Sequence, residues 1–573
     1  MPTKSSILIG QMLLDEGVIT AEQLDAGLNE QKNSGDFICT TLIKLGFVSQ
    51  DKVFSVLSRQ LNIPYLKITD KDIGPLIIQK VAAKFASHYK IIPIEFKDNV
   101  LTIAMTDPLD IRTLDDLRLL LNIEVKGVLA SEKEIVEAVR KYYGVGAETL
   151  ERIISKKEPQ KELKMPLEKT QDLEALVEDA SIIKFVNQIL SEAIKDRATD
   201  IHIEPFQDEL RTRFRIDGVL YNIHTPETIK YFHPSIVSRI KVMARLDIAE
   251  RRLPQDGRIK IRVNEEELDL RVSILPTDFG EAVHIRILSA KFFLQLEKLG
   301  LLAEDLKLIE DMLKKPHGII FVTGPTGSGK STTLYAALSR INSPSVKIIT
   351  IEDPIEYQLT GVNQLQVQPK IGFNFATGLR HILRHDPNII MVGEVRDYET
   401  AEIAIRAALT GHLVFSTLHT NDAAGAVTRL IDMGVEPFLV ASSIECLIAQ
   451  RLVRLICAKC KVQVPAKHAE EILAQIKDIK FNLNDVTLYE GKGCEECRFT
   501  GYRNRTGIYE ILTVTEPVRE LILSRASNQQ IRQKAISQGM RTLRQDGLQK
   551  VLQGLTTYTE VMRVTQLEEQ AQD

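Results

Sequence analysis

The sequence predicts a multidomain α/β fold with a parallel sheet at its centre. Three observations predict it. Four short apolar runs end in polar loops and are separated by helical patterns, a glycine-rich loop carries one run into a helix, and two α+β stretches lie upstream.

A chain of 573 residues has room for three to five domains, each with its own core. The first, residues 1–62, is an internal repeat. A shift of 29 residues aligns Leu13 with Leu42, Gly17 with Gly46, Leu24 with Val53, Leu28 with Leu57 and Gln31 with Gln60. Each unit reads as a helix, a glycine turn, a polar cap (Thr20 or Ser49) and a second helix.

Residues 63–144 read as a small α+β domain. IIPIEFKDNVLTIAMTDP (91–108) predicts two strands around Asp98-Asn99, and 110–121 and 132–144 predict helices. Residues 145–175 are charged, Pro-containing and poor in large apolar side chains, which predicts a linker. From 176 to 289 the runs ELRTRFRI, RIKIRV, ELDLRVSIL and AVHIRIL predict the strands of a second α+β unit. The central domain takes 290–455, a cysteine-bearing lobe 456–510, and a helical region 511–573.

Composition narrows the class. A net charge of −4, no Trp and no aromatic-basic stripe argue against a nucleic-acid binder. No run of about 18 apolar residues occurs, and the opening MPTKSSILIGQMLLDEG breaks at Asp15 without a cleavage site. The expectation is a cytoplasmic protein.

GPTGSGKS at 324–331 fits G-x-x-x-x-G-K-[ST], with the apolar run GIIFVT before it and a helical pattern after it. That context makes it a phosphate-binding loop. Gly324, Pro325, Thr326, Gly327, Ser328 and Gly329 are expected to form the nucleotide-binding loop, whose glycines let backbone N–H groups curl around a β-phosphate of ATP. Lys330 is expected to reach the β/γ oxygens, Ser331 to meet Mg²⁺, and Thr332 to follow them into the helix.

NIIMVGE (388–394) is an apolar strand ending in an acid, and Glu394 is placed on the water shell of Mg²⁺. IITIEDPIEY (348–357) sets Glu352, Asp353 and Glu356 at another strand end. In a parallel sheet such a cluster faces the ligand, and one acid can deprotonate the attacking water. GHLVFSTLHTN (411–421) flanks a further strand with His412 and His419, both read as γ-phosphate sensors.

Four of the six cysteines form two C-x-x-C pairs, Cys457/Cys460 and Cys494/Cys497. Four thiolates suit a structural, tetrahedral Zn²⁺ site, and PAKHAEEILAQIK between the pairs reads as a helix.

Taken together, GPTGSGKSTT, TIEDPIEY, HDPNIIMVGEVRD and TGHLVFSTLHTND resemble the secretion ATPase superfamily of type II secretion and type IV pilus motors. There the blocks are Walker A, the Asp box, Walker B and the His box. ATDIHIEPF, RFRIDG, RLPQDGRI and AQRLVR agree, so the resemblance covers about 175–565. It implies a RecA-like P-loop ATPase core with a zinc lobe, preceded by a PAS-like α+β domain and an N-terminal helical/α+β module. It also implies a homohexamer, with Glu356 as general base and Arg271 and Arg286 as arginine fingers. Arg380, Arg384 and Arg396 take lesser places near the site. The tetracysteine lobe occurs in the secretion and pilus-extension branches and is missing from retraction ATPases. The implied partners are an inner-membrane platform and cytoplasmic docking proteins.

Residues 8–60 resemble the tandem 24-residue repeat that binds cyclic di-GMP in some of these ATPases. The leucine, glycine and glutamine spacing is present, but Leu8 and Phe37 stand where arginines pair with phosphate, and Cys39 replaces a glycine. That leaves the repeat's fold and helix packing, with docking to the platform as the favoured role. Two other readings differ in class: a nucleic-acid-translocating RecA-like ATPase, tested by stimulation with single-stranded DNA, and a cyclic di-GMP-regulated ATPase, tested by titration calorimetry.

Overall fold

A computed structural model describes residues 4–34, 38–68, 71–107, 110–147, 149, 180–263, 266–289, 295–476, 479 and 486–565. The chain divides into two units, Met1–Leu288 and Ser289–Asp573.

The first unit opens with the repeat as two helical hairpins, Lys4–Asp15 with Ala21–Ser34 and Ile38–Lys44 with Gln50–Leu61. Leu13 and Leu42, equivalent under the shift, are both wholly buried in one core with Val53 and Leu57. Gly17 and Gly46 adopt φ of 66° and 75°, the left-handed turn after each leading helix. Thr20 caps as predicted: its hydroxyl accepts from the Gln23 N–H, and the Gln23 side chain accepts from the Thr20 N–H. Ser49 makes no side-chain cap bond. Cys39 packs in this core, where burial pushes its thiol far above the ordinary range. Phe37 and the side chain of Leu8 lie outside the described residues.

A three-stranded sheet follows: β1 (Ile91–Lys97), β2 (Val100–Met105) and β3 (Glu124–Leu129). Asp98 and Asn99 turn the predicted hairpin, both at positive φ. β3, parallel to β2, escaped prediction because EVKGVL is short and interrupted by Gly127. The helices Ile111–Leu121 and Glu132–Tyr143 start at Asp110 and Ser131, whose side chains accept from the N–H three residues on.

A six-stranded sheet completes the unit, in the order β6-β5-β4-β9-β8-β7. Its strands are β4 (Asp200–Pro205), β5 (Leu210–Ile216), β6 (Val219–Ile223), β7 (Gln255–Val263), β8 (Glu266–Thr277) and β9 (Gly280–Ser289). Leu268, Leu270, Val272 and Ile274 of β8, and Val283 and Ile285 of β9, point into its core. The two-residue period puts Arg271, His284 and Arg286 on the opposite face. The linker reading is corrected at its start. Val145 packs into this core and its N–H donates to the His224 carbonyl at 2.9 Å, so the fold claims it. Residues 150–175 lie outside the described residues. Arg140 adds a tie to Asp196 at 2.8 Å.

The second unit is built on seven strands in the order β12-β11-β13-β14-β10-β15-β18. They are β10 (Gly318–Thr323), β11 (Ile348–Glu352), β12 (Asn363–Gln366), β13 (Ile389–Val392), β14 (Leu413–Leu418), β15 (Ile444–Ile456) and β18 (Tyr502–Thr513). All pairs are parallel except β15 with β18. β10 is buried on both sides, Ile319 and Phe321 in one core and Ile320 and Val322 in the other. Burial on two faces is why these strands read as continuous apolar runs.

β18 corrects the boundary of the cysteine lobe. Residues 502–510 belong to the main sheet, and the C-terminal helices begin at Glu516. The lobe itself holds the helix Ala466–Gln475 and the antiparallel pair β16 (Lys461–Gln463) and β17 (Tyr489–Gly491). Buried polar ties fasten the last helices to the sheet. Lys550 donates to Asp546 and to the Gly507 carbonyl, both at 2.6 Å, and Arg454 meets Glu560 at 2.5 Å. Each buried charge thus has a partner, without which burial would be costly.

Candidate active site

The sequence places the glycine-rich loop between interior strand β10 and the helix Lys330–Ile341, at the carboxyl ends of the parallel strands. Gly324 is demanded by space, and Gly329 by its left-handed backbone at φ 90°. A Cβ on Gly324 would stand 2.6 Å from the Gln450 carbonyl, and one on Gly329 would stand 2.8 Å from the Gln450 side chain. Pro325, Thr326, Gly327 and Ser331 are exposed at the mouth, and Thr332 is half-buried behind them. Among the described residues, the Ser328 hydroxyl is buried without a hydrogen-bond partner.

Lys330 folds back on the loop, its ammonium donating to the carbonyls of Gly324 at 2.7 Å and Pro325 at 3.1 Å. Burial pushes its pKa down to about 8, helped by the Arg451 charge and opposed by Glu394. An unpartnered hydroxyl, a Cβ-free cradle and a lysine satisfied only by neutral carbonyls fit a triphosphate.

Glu394 stands two residues past β13. Its backbone is stitched between neighbouring strand ends: the Gly393 N–H donates to Ile351 at 2.8 Å, and the Val395 N–H to Thr417 at 3.0 Å. The carboxylate meets Arg396 at 2.5 Å and the His419 ring at 3.4 Å. Arg396 therefore lies at the site. Arg380 pairs with Glu399 and Arg384 meets His381, and both arginines are exposed.

The two histidines separate. His419 follows β14 at its carboxyl end, whereas His412 precedes the strand. The His412 carbonyl accepts from the N–H of Gly318, the first residue of β10, and its ring contacts the Ala407 carbonyl at 2.9 Å. His412 thus sits at the amino edge of the sheet, a strand length from the phosphate loop, and its reading as a γ-phosphate sensor is corrected.

The acidic cluster also divides. Asp353 is exposed. Glu352 is buried, accepting from Thr350 at 2.5 Å, from Gln364 at 3.0 Å and from the Tyr335 hydroxyl. Its carboxylate is filled by protein donors, so Glu352 is corrected from a nucleotide-facing acid to an internal anchor. Glu356, half-buried on the following loop, donates its N–H to the same Tyr335 hydroxyl at 3.2 Å.

Gln450 and Arg451, within AQRLVR, also belong to the site, although the sequence motif alone assigns them no task. Gln450 accepts from Thr333 at 2.7 Å and underlies the glycine loop. Arg451 donates to the Asn421 carbonyl at 2.8 Å, joining the loop after β14 to the P-loop floor. A glutamine-arginine pair inside an apolar strand was the available signal. Arg271 and Arg286 lie in the other unit, where Arg286 donates to Asp200 at 3.0 Å. Asp200, beside Arg286 and His284, has its carboxyl held well below the usual range against the cost of burial.

Cys457, Cys460, Cys494 and Cys497 converge, all four sulfurs within 4.8 Å of one another. Three Sγ···Sγ separations are 3.8, 3.7 and 3.7 Å. A tetrahedron with metal–sulfur bonds of about 2.3 Å has edges of about 3.8 Å, so the thiols match a four-thiolate metal centre.

A phosphate loop on an interior strand of a mainly parallel sheet, with a carboxylate one strand beyond its neighbour, defines a P-loop ATPase. The chain belongs to the Type II/IV secretion system protein family, whose model matches residues 175–563, and it is an ATP hydrolase. An MshEN domain model matches residues 61–149. The chain is 43% identical to the type IV pilus assembly ATPase PilB of Myxococcus xanthus over 562 residues, 97% of this chain and 98% of that one. It is 41% identical to type II secretion system protein E of Xanthomonas campestris pv. campestris over 576 residues, 98% of each chain. Against type II secretion system protein E of Pseudomonas aeruginosa it is 51% identical over 400 residues, 70% of this chain and 78% of that one. No described helix is long and apolar enough to cross a membrane.

Proposed function

We propose that this chain is a motor whose ATP hydrolysis drives assembly of a type IV pilus or a type II secretion pseudopilus from the cytoplasmic face of the inner membrane. The observation that carries the reading is the meeting of Lys330, Glu394 and His419 on adjoining strand ends of a chain that matches a pilus assembly ATPase over nearly its whole length.

In this reading the P-loop N–H groups and Lys330 bind and orient the triphosphate. The Ser331 hydroxyl and, through water, Glu394 would hold Mg²⁺, which would supply positive charge to the triphosphate. A water oxygen attacks the γ-phosphorus and passes its proton to Glu356. The bond to the bridging oxygen breaks, and its electron pair leaves on ADP. His419, beside Glu394, reads the terminal phosphate. Cys457, Cys460, Cys494 and Cys497 would hold a structural Zn²⁺, which would pin the lobe between β15 and β18. The helical repeat docks on a platform protein, and the missing arginines argue against cyclic di-GMP as its ligand.

Arg271 and Arg286 are proposed as cations supplied by a neighbouring subunit of a homohexamer, since a P-loop lysine alone undercompensates the charge of the transition state. Turnover per subunit measured from nanomolar to micromolar protein tests this. The reading expects a steep rise with concentration, lost in Arg271→Ala; a flat profile overturns the shared site.

A further inference from the structure

The loop Asp353–Leu359 carries Glu356 and is fixed to the fold at three main-chain points. The Tyr335 hydroxyl accepts the Glu356 N–H at 3.2 Å. Gln364 of β12 donates to the Tyr357 carbonyl at 2.9 Å and accepts from the Leu359 N–H at 2.7 Å. Both anchors meet on one buried carboxylate, since Glu352 accepts from Tyr335 through one oxygen and from Gln364 and Thr350 through the other.

Tyr335 lies on the helix Lys330–Ile341, five residues beyond Lys330. The group expected to touch phosphate and the group that holds the acidic loop therefore share one rigid element. The tyrosine ring is buried at 1% exposure and packs edge-on against Tyr357 at 6.0 Å. A buried tyrosine needs one partner for its hydroxyl, and Glu352 already supplies it. The second bond, from the Glu356 N–H, serves the loop rather than the tyrosine.

We propose that Tyr335, assisted by Gln364, is a positioning residue that sets Glu356 against the attacking water. The proposal rests on Glu356 being the base. Its action is through geometry, and a displacement of about 1 Å at a catalytic group costs on the order of 100-fold.

The test is steady-state and single-turnover ATP hydrolysis by the full-length protein in four forms: parent, Tyr335→Phe, Glu356→Gln and the double variant. Tyr335→Phe is expected to lower kcat about 10- to 100-fold with KM for ATP within about 2-fold, and to add nothing in the Glu356→Gln background. An equal fold-loss in both backgrounds, a raised KM at unchanged kcat, or no loss at all overturns the proposal. Full turnover in Glu356→Gln removes the base assignment and this proposal with it, whereas an inactive Glu356→Gln beside an unimpaired Tyr335→Phe removes the proposal alone. Gln364→Met, which deletes the loop's other anchor, gives the same kcat-only loss if Tyr335→Phe does not fold.

Discussion

His412 and His419 bracket the same strand, β14, and lie on opposite edges of the sheet. Seven residues of extended chain separate them by roughly 23 Å. Only His419 approaches the Glu394 carboxylate, at 3.4 Å.

The pair therefore behaves differently on substitution. His419→Ala is expected to lower kcat by about 10-fold or more, because it removes a polar group beside the Walker B acid. His412→Ala leaves turnover unchanged and costs about 1 kcal/mol of stability through its bond to the Ala407 carbonyl. Steady-state hydrolysis with thermal unfolding of each variant checks both statements.

Nucleotide affinity is expected to depend on pH through Lys330. Burial lowers its pKa in the free enzyme to about 8, and a bound phosphate raises it again. Binding thus takes up a proton above that value: affinity is full below pH 8 and falls up to about 10-fold per pH unit above it. Titration calorimetry in buffers of different ionisation enthalpy reads the uptake directly, and Lys330→Ala abolishes it.

The thiol cluster predicts about one zinc per chain by elemental analysis. Cys494→Ser is expected to lose it and to lower the thermal midpoint by about 5 °C, since structural zinc contributes folding energy. Metal-free parent protein with an unchanged midpoint would contradict this assignment.

What could be read from the sequence was local. The phosphate loop and the two C-x-x-C pairs declare themselves within eight and four residues, because their chemistry is made by chain neighbours. The repeat showed through Leu13 and Leu42, whose shared burial imposes shared spacing. What stayed hidden depends on which residues meet across the sheet. His412 looks as close to the site as His419 until strand direction is known. Glu352 looks as available as Glu356 until Tyr335, Thr350 and Gln364 close around it. β18 was hidden for the same reason, its partner β15 lying some fifty residues back along the chain.

Hydrolysis by Lys330→Ala tests the central claim most directly. With the parent and variant assayed at equal protein concentration and saturating MgATP, the variant is expected to lose turnover by about 100-fold or more while keeping its thermal midpoint. Turnover equal to that of the parent would contradict the assignment of this loop as the site where ATP is held and cleaved.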